Sequence, residues 1–129
     1  MQTYFDQVKA LVDAYNTTSM VLQSQVQFEV RPGRQGYLYG SLTFHDGSVL
    51  HFREYLYRVG ETIGKEMYTY HYQDATAALV FRYDNARHRP LLGMLEHKHT
   101  SDEVTEAAAP TLEEVLTEIV STCGWGTPQ

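Results

Sequence analysis

Residues 36–58 read GYLYGSLTFHDGSVLHFREYLYR, and how they are read decides the fold. On both sides of Asp46-Gly47 apolar and polar residues alternate, the period of two that sends successive side chains to opposite faces of a strand. Asp-Gly is a favoured dipeptide of the two-residue type I′ hairpin. The stretch therefore predicts two antiparallel strands, 36–44 and 48–58. Working outward, runs rich in Tyr, Val, Phe and Thr predict further strands at 23–30, 64–73 and 78–84. Turn signals separate them at Arg31-Pro32-Gly33-Arg34, at Val59-Gly60-Glu61-Thr62 and, more weakly, at 74–77. Links this short join antiparallel neighbours, so the expected sheet is a five-stranded meander.

On either side of the sheet the period lengthens. Tyr4, Val8, Leu11, Val12 and Tyr15 fall on one face of a helix that Thr3 would cap and Asn16 would end. Thr111-Leu112-Glu113-Glu114 is a capping box. Leu112, Val115, Leu116, Ile119, Val120 and Cys123 then line one helical face, with Gly124 as the stop. The fold class is α+β: an antiparallel five-stranded meander flanked by an N-terminal and a C-terminal amphipathic helix. A chain of 129 residues closes one core, so a single domain over 1–129 is expected, with a connector at 100–110, the helix at 111–123 and a tail at 124–129.

Charge is unevenly placed. The formal net charge is -6, from ten Lys+Arg and sixteen Asp+Glu, yet all ten basic residues lie before residue 100. Asp102, Glu103, Glu106, Glu113, Glu114 and Glu118 carry the whole excess. This argues against a broadly basic RNA-coating surface and leaves room for a compact phosphate site. Cys123 is the one cysteine, so no internal disulfide can form. The opening MQTYFDQVKA has no basic segment followed by an apolar run, and no stretch is long enough to span a bilayer. A cytoplasmic protein without membrane contact is expected.

Centring the hairpins on 46/47, 60/61 and 75/76 gives two faces. One carries Leu38, Leu42, Phe44, Tyr55, Tyr68, Tyr70, Tyr72, Leu79, Phe81 and Tyr83. These tyrosines serve either as cross-strand core pairs or as a stacking platform for bases. The other face carries Tyr39, Leu50, Phe52, Glu54, Met67, Thr69, His71, Val80, Arg82 and Asp84. Glu54, His71 and Arg82 are then either a paired structural cluster or a base, an acid and an anion stabiliser. In this register His51 and Arg53 point away from them, and would form an alternative site if the register slipped by one. Further on, Arg87, His88, Arg89, His97, Lys98 and His99 gather groups suited to phosphate. His97-x-His99 can be a metal fragment, but no zinc signature surrounds it and a solvated loop explains it as well. There is no Gly-rich phosphate loop, no GxSxG elbow, and Cys123 reads as core.

Taken together, these motifs resemble the TumE family of small toxin-like proteins. The likeness rests on Arg34-Gln35-Gly36-Tyr37, Leu42-Thr43-Phe44-x-Asp46-Gly47-Ser48 and Leu50-His51-Phe52-Arg53-Glu54-Tyr55. It continues through Tyr68-x-Tyr70-His71-Tyr72-Gln73-Asp74, Phe81-Arg82-Tyr83-Asp84-Asn85 and His97-Lys98-His99, covering roughly residues 4–120. The resemblance implies a toxin of a type II pair, held by a helix-turn-helix antitoxin and acting on RNA or translation. The chain departs from the family's Pro-His-His-Pro at Arg87-His88-Arg89-Pro90, and has Glu96 where the family has a further His. On this basis Glu54, His71, Arg82, His97 and His99 are candidates for metal-independent acid–base cleavage. Tyr70, Asp84, Asn85, Arg87, His88, Arg89 and Lys98 are candidates for substrate binding. No metal and no cofactor is assigned, and the oligomeric state is left open. Two other readings stand beside this one: a non-catalytic module binding through the tyrosine-rich sheet, and a His-dependent metalloprotein.

Overall fold

The computed structural model describes residues 1–85 and 96–125. The chain runs α1 (Gln2–Asn16), β1 (Val21–Arg31), β2 (Gln35–Phe44), β3 (Val49–Val59), β4 (Thr62–Gln73), β5 (Leu79–Asp84), β6 (His97–His99), β7 (Val104–Glu106) and α2 (Leu112–Cys123). The strands pair in chain order, each antiparallel to the next. The fold is thus α+β, with helices flanking a meander that has seven strands where the sequence reading has five. The two extra strands are three residues each, too short for alternation to show in the sequence. One of them, β7, lies inside the expected 100–110 connector.

α2 begins as expected. Thr111 Oγ1 accepts the Glu114 N–H at 3.1 Å, and the Glu114 carboxylate accepts the Thr111 N–H at 2.9 Å. Gly124 ends the helix at φ 72°, in the left-handed region that glycine enters without a Cβ clash. α1 starts earlier than expected. Met1 stands at its N-cap and the Met1 carbonyl accepts the Phe5 N–H, so Thr3 lies inside the first turn and caps nothing.

Both helices pack on one face of the sheet. Phe5 of α1 meets Phe28 of β1 with ring centroids 4.9 Å apart, and Leu38, Leu42, Phe44, Leu50 and Leu116 are fully buried. Each such side chain contributes roughly 1.5–3 kcal/mol of burial energy. No described helix is long and apolar enough to cross a membrane.

The register departs from expectation at one strand. The 46/47 hairpin is a three-residue link, His45-Asp46-Gly47, closed by the Phe44 N–H donating to the Ser48 carbonyl. Gly47 sits at φ 87°, and Asp46 Oδ1 accepts from the Ser48 N–H at 2.9 Å and from its hydroxyl at 2.5 Å. The extra residue inverts β3: Leu42 pairs with Leu50, and Ser41 with His51. The next turn has two residues, as expected, with Val59 opposite Thr62. A bulge then leaves Glu66 unpaired between Leu56↔Lys65 and Tyr55↔Met67, which restores the expected facing of β4. A three-residue link at 75–77, closed by the Asp74 N–H donating to the Ala78 carbonyl, and a second bulge beside Val80 together set His71 opposite Arg82, where the sequence reading has Thr69 opposite Arg82. The core face therefore carries Leu50, Phe52 and Glu54 as well as Leu38, Tyr70 and Tyr72.

Candidate functional site

The register builds two adjacent rows across the outer face, the face turned away from the helices. One row is Ser41, His51, His71, Arg82 and His99, on β2 to β6. The other is Tyr39, Arg53, Thr69, Asp84 and His97, on the same strands. Each strand gives one residue to each row, because residues two apart share a face. His51, Arg53, Thr69, His71 and Arg82 line a groove of about 540 Å³, with Tyr39 and Gln25 at its other end.

Contacts along the rows are close. Arg82 Nε donates to Asp84 Oδ2 at 2.8 Å, and Arg82 Nη1 lies 3.5 Å from His71 Nδ1. The His51 and His71 rings are 6.4 Å apart, centroid to centroid. Burial lowers the His71 imidazole below its ordinary value, and positive Arg82 and neighbouring His51 push the same way. His71 is therefore neutral at neutral pH and able to accept a proton. Asp84 is fully buried and His97 is 1% exposed, so neither is part of the groove wall.

Of the residues singled out in the sequence, His71, Arg82, Asp84, His97 and His99 share this face. Four others among the described residues do not join them. Glu54 lies in the core under α1, where it accepts hydrogen bonds from Tyr4 and Tyr70 and faces Lys65 Nζ at 3.6 Å. The expectation that it points with His71 and Arg82 is corrected by the three-residue turn. Tyr70 is fully buried in the same cluster, and its phenol is pushed up by burial and by Glu54. Lys98 faces α2, bonded to Glu118 at 2.8 Å with Phe81 and Tyr83 beneath it. Asn85 stands at the end of β5 and closes the bulge, donating to the Glu66 carbonyl at 3.0 Å and accepting from the Tyr68 N–H at 3.1 Å. Arg87, His88 and Arg89 lie outside the described residues.

The sequence reading set His51 and Arg53 apart from the site, and the structure brings them into it. A second group was hidden in the tyrosine count. Tyr37 stacks on Tyr55 at 4.4 Å and on Tyr39 at 5.1 Å, with the Arg31 guanidinium 5.0 Å over Tyr37, all on the outer face. The tyrosines thus divide: Tyr68, Tyr70 and Tyr72 are core, and Tyr37, Tyr39 and Tyr55 are surface.

The outer face thus carries imidazoles and guanidiniums in register on neighbouring strands, groups that can pair with an anion. Comparison gives the chain a family. The model of the family described as Toxin TumE matches residues 9–122, and the chain belongs to the TumE toxin family. A toxin of this kind pairs with an antitoxin. No curated protein and no solved structure matches the chain.

Proposed function

We propose that this toxin cleaves RNA by acid–base chemistry in the outer-face groove, with no metal ion at the reacting phosphate. The observation that supports it is the row His51–His71–Arg82, two imidazoles and a guanidinium on neighbouring strands. Neutral His71 takes the proton from a ribose 2′-hydroxyl, whose oxygen attacks the adjacent phosphorus. His51 gives a proton to the departing 5′-oxygen. Arg82 and Arg53 stabilise the charge that builds on the phosphorus oxygens. The products are a 2′,3′-cyclic phosphate and a free 5′-hydroxyl. His51 replaces His97 and His99 as proton donor in this scheme because it is exposed in the groove.

The test is incubation of the purified chain with single-stranded RNA, followed by end analysis of the products. His71→Ala and Arg82→Ala are each expected to lower cleavage by about 10²–10⁴-fold. RNA left intact by the parent chain defeats the proposal. The partner expected in this reading is a helix-turn-helix antitoxin, and the compartment is the cytoplasm.

The stacked Tyr37, Tyr39 and Tyr55 favour one second reading, a module that binds RNA without cutting it. Toxicity that survives His71→Ala but is lost in Tyr39→Ala would choose that reading over the first.

A further inference from the structure

We propose that Asp84, His97 and His99 form a binding site for one divalent transition-metal ion of the zinc class, behind the groove and separate from it. The pairing of β5 with β6 sets Asp84 directly opposite His97, and places His99 on the same face two residues on. One ligand atom from each of the three lies within 4.8 Å of the others. Asp84 Oδ1 is 3.5 Å from His97 Nδ1, and Asp84 Oδ2 is 3.6 Å from His99 Nε2. Hydrogen bonds between such groups centre near about 2.9 Å. Two ligands held about 2.0–2.1 Å from a common tetrahedral ion stand about 3.3 Å apart, closer to what is seen.

The donor set narrows the ion. Two imidazoles and one carboxylate suit zinc and its first-row neighbours, whereas magnesium and calcium prefer oxygen alone. Asp84 is fully buried, His97 is 1% exposed and the His99 side chain 21%, so the ion would be shielded from bulk water. Arg82 already holds Asp84 Oδ2 at 2.8 Å, the kind of outer partner that fixes a ligating carboxylate. The ion would take Asp84 through Oδ1, on the His97 side. Metal binding would then clamp Asp84 and, through it, the Arg82 guanidinium that faces the groove.

The site is tested without RNA. The untagged full chain, stripped with chelator, is titrated with zinc chloride by calorimetry and with cobalt(II) by visible absorption. One equivalent of zinc and ligand-field bands from cobalt are expected. His99→Gln and Asp84→Asn should weaken zinc binding by about tenfold or more. His71→Gln, on the groove side, should keep the parent's affinity, and circular dichroism checks that each variant is folded. No bound zinc in the parent overturns the proposal. So does unchanged affinity in folded His99→Gln, or a loss of binding in His71→Gln, which would move the ion into the groove. None of these outcomes depends on whether the chain cuts RNA.

Discussion

At the residue scale the two titratable clusters do opposite work. His71 is half-buried and faces Arg82 and His51, so its imidazole holds a proton more weakly than the ordinary imidazole value of 6.5. Nuclear magnetic resonance titration should place its midpoint below that value, and Arg82→Gln should raise it. A midpoint unmoved by Arg82→Gln would remove the guanidinium from the account. The sign for stability follows from the direction. Below pH 6.5 the unfolded chain takes up a proton that the folded His71 resists, so this group's share of stability is lost as the solution is acidified through that value. Glu54 belongs to the other cluster. It is fully buried among Tyr4, Tyr70 and Lys65, and burial lowers the Lys65 ammonium while Glu54 partly restores it. Glu54→Ala leaves those partners without their acceptor and is expected to cost about 3 kcal/mol in urea unfolding. A Glu54→Ala protein as stable as the parent would show that the cluster is not holding the core.

At the element scale the turns decide which chemistry reaches solvent. Gly47 lies at φ 87°, and a Cβ there would meet Ala75 Cβ at 3.0 Å. Gly47→Ala should cost about 1–2 kcal/mol in thermal or urea unfolding. The neighbouring Asp46 feels burial opposing its ionisation, and the hydroxyl and N–H of Ser48 outweigh it. Asp74 is lowered by the Thr76 hydroxyl and by the N–H groups of Ala78 and Thr76. Both carboxylates therefore support their turns above the ordinary value of 3.8 and lose that support as pH falls through their lowered values. The same turn explains what the sequence made legible. Alternation in 36–58 predicts β2 and β3, and the capping box predicts α2, because these signals are local. The facing of β3 was not legible, since Asp46-Gly47 serves a two-residue and a three-residue link alike. One added residue there, cancelled by the bulge at Glu66, leaves β2 and β4 facing as expected and turns β3 over. That inversion exchanges Glu54 for His51 and Arg53 at the site. The pairing of Asp84 with His97 was beyond sequence reasoning for another reason: a three-residue strand carries too few residues to announce its partner.

At the scale of the whole molecule the groove and the last helix differ in charge. Arg53 and Arg82 stand on the outer face, while Glu113, Glu114 and Glu118 belong to α2 on the other side of the sheet. The net charge of -6 is therefore no measure of what a ligand meets in the groove. Binding of a single-stranded RNA should weaken as salt rises, and Arg53→Ala should reduce the slope of log K against log salt by about 0.7. An unchanged slope would mean that Arg53 contacts no phosphate.

The order of the elements has a consequence in time. Val115, Leu116, Ile119 and Val120 close the core, and they belong to the last element of the described chain. A ribosome that has made the strands has made every residue of the groove, yet the sheet still lacks α2, the second of the two helices that cover its other face. Under the proposed function the groove is therefore expected to work only once α2 has been made and has docked on the opposite face of the sheet.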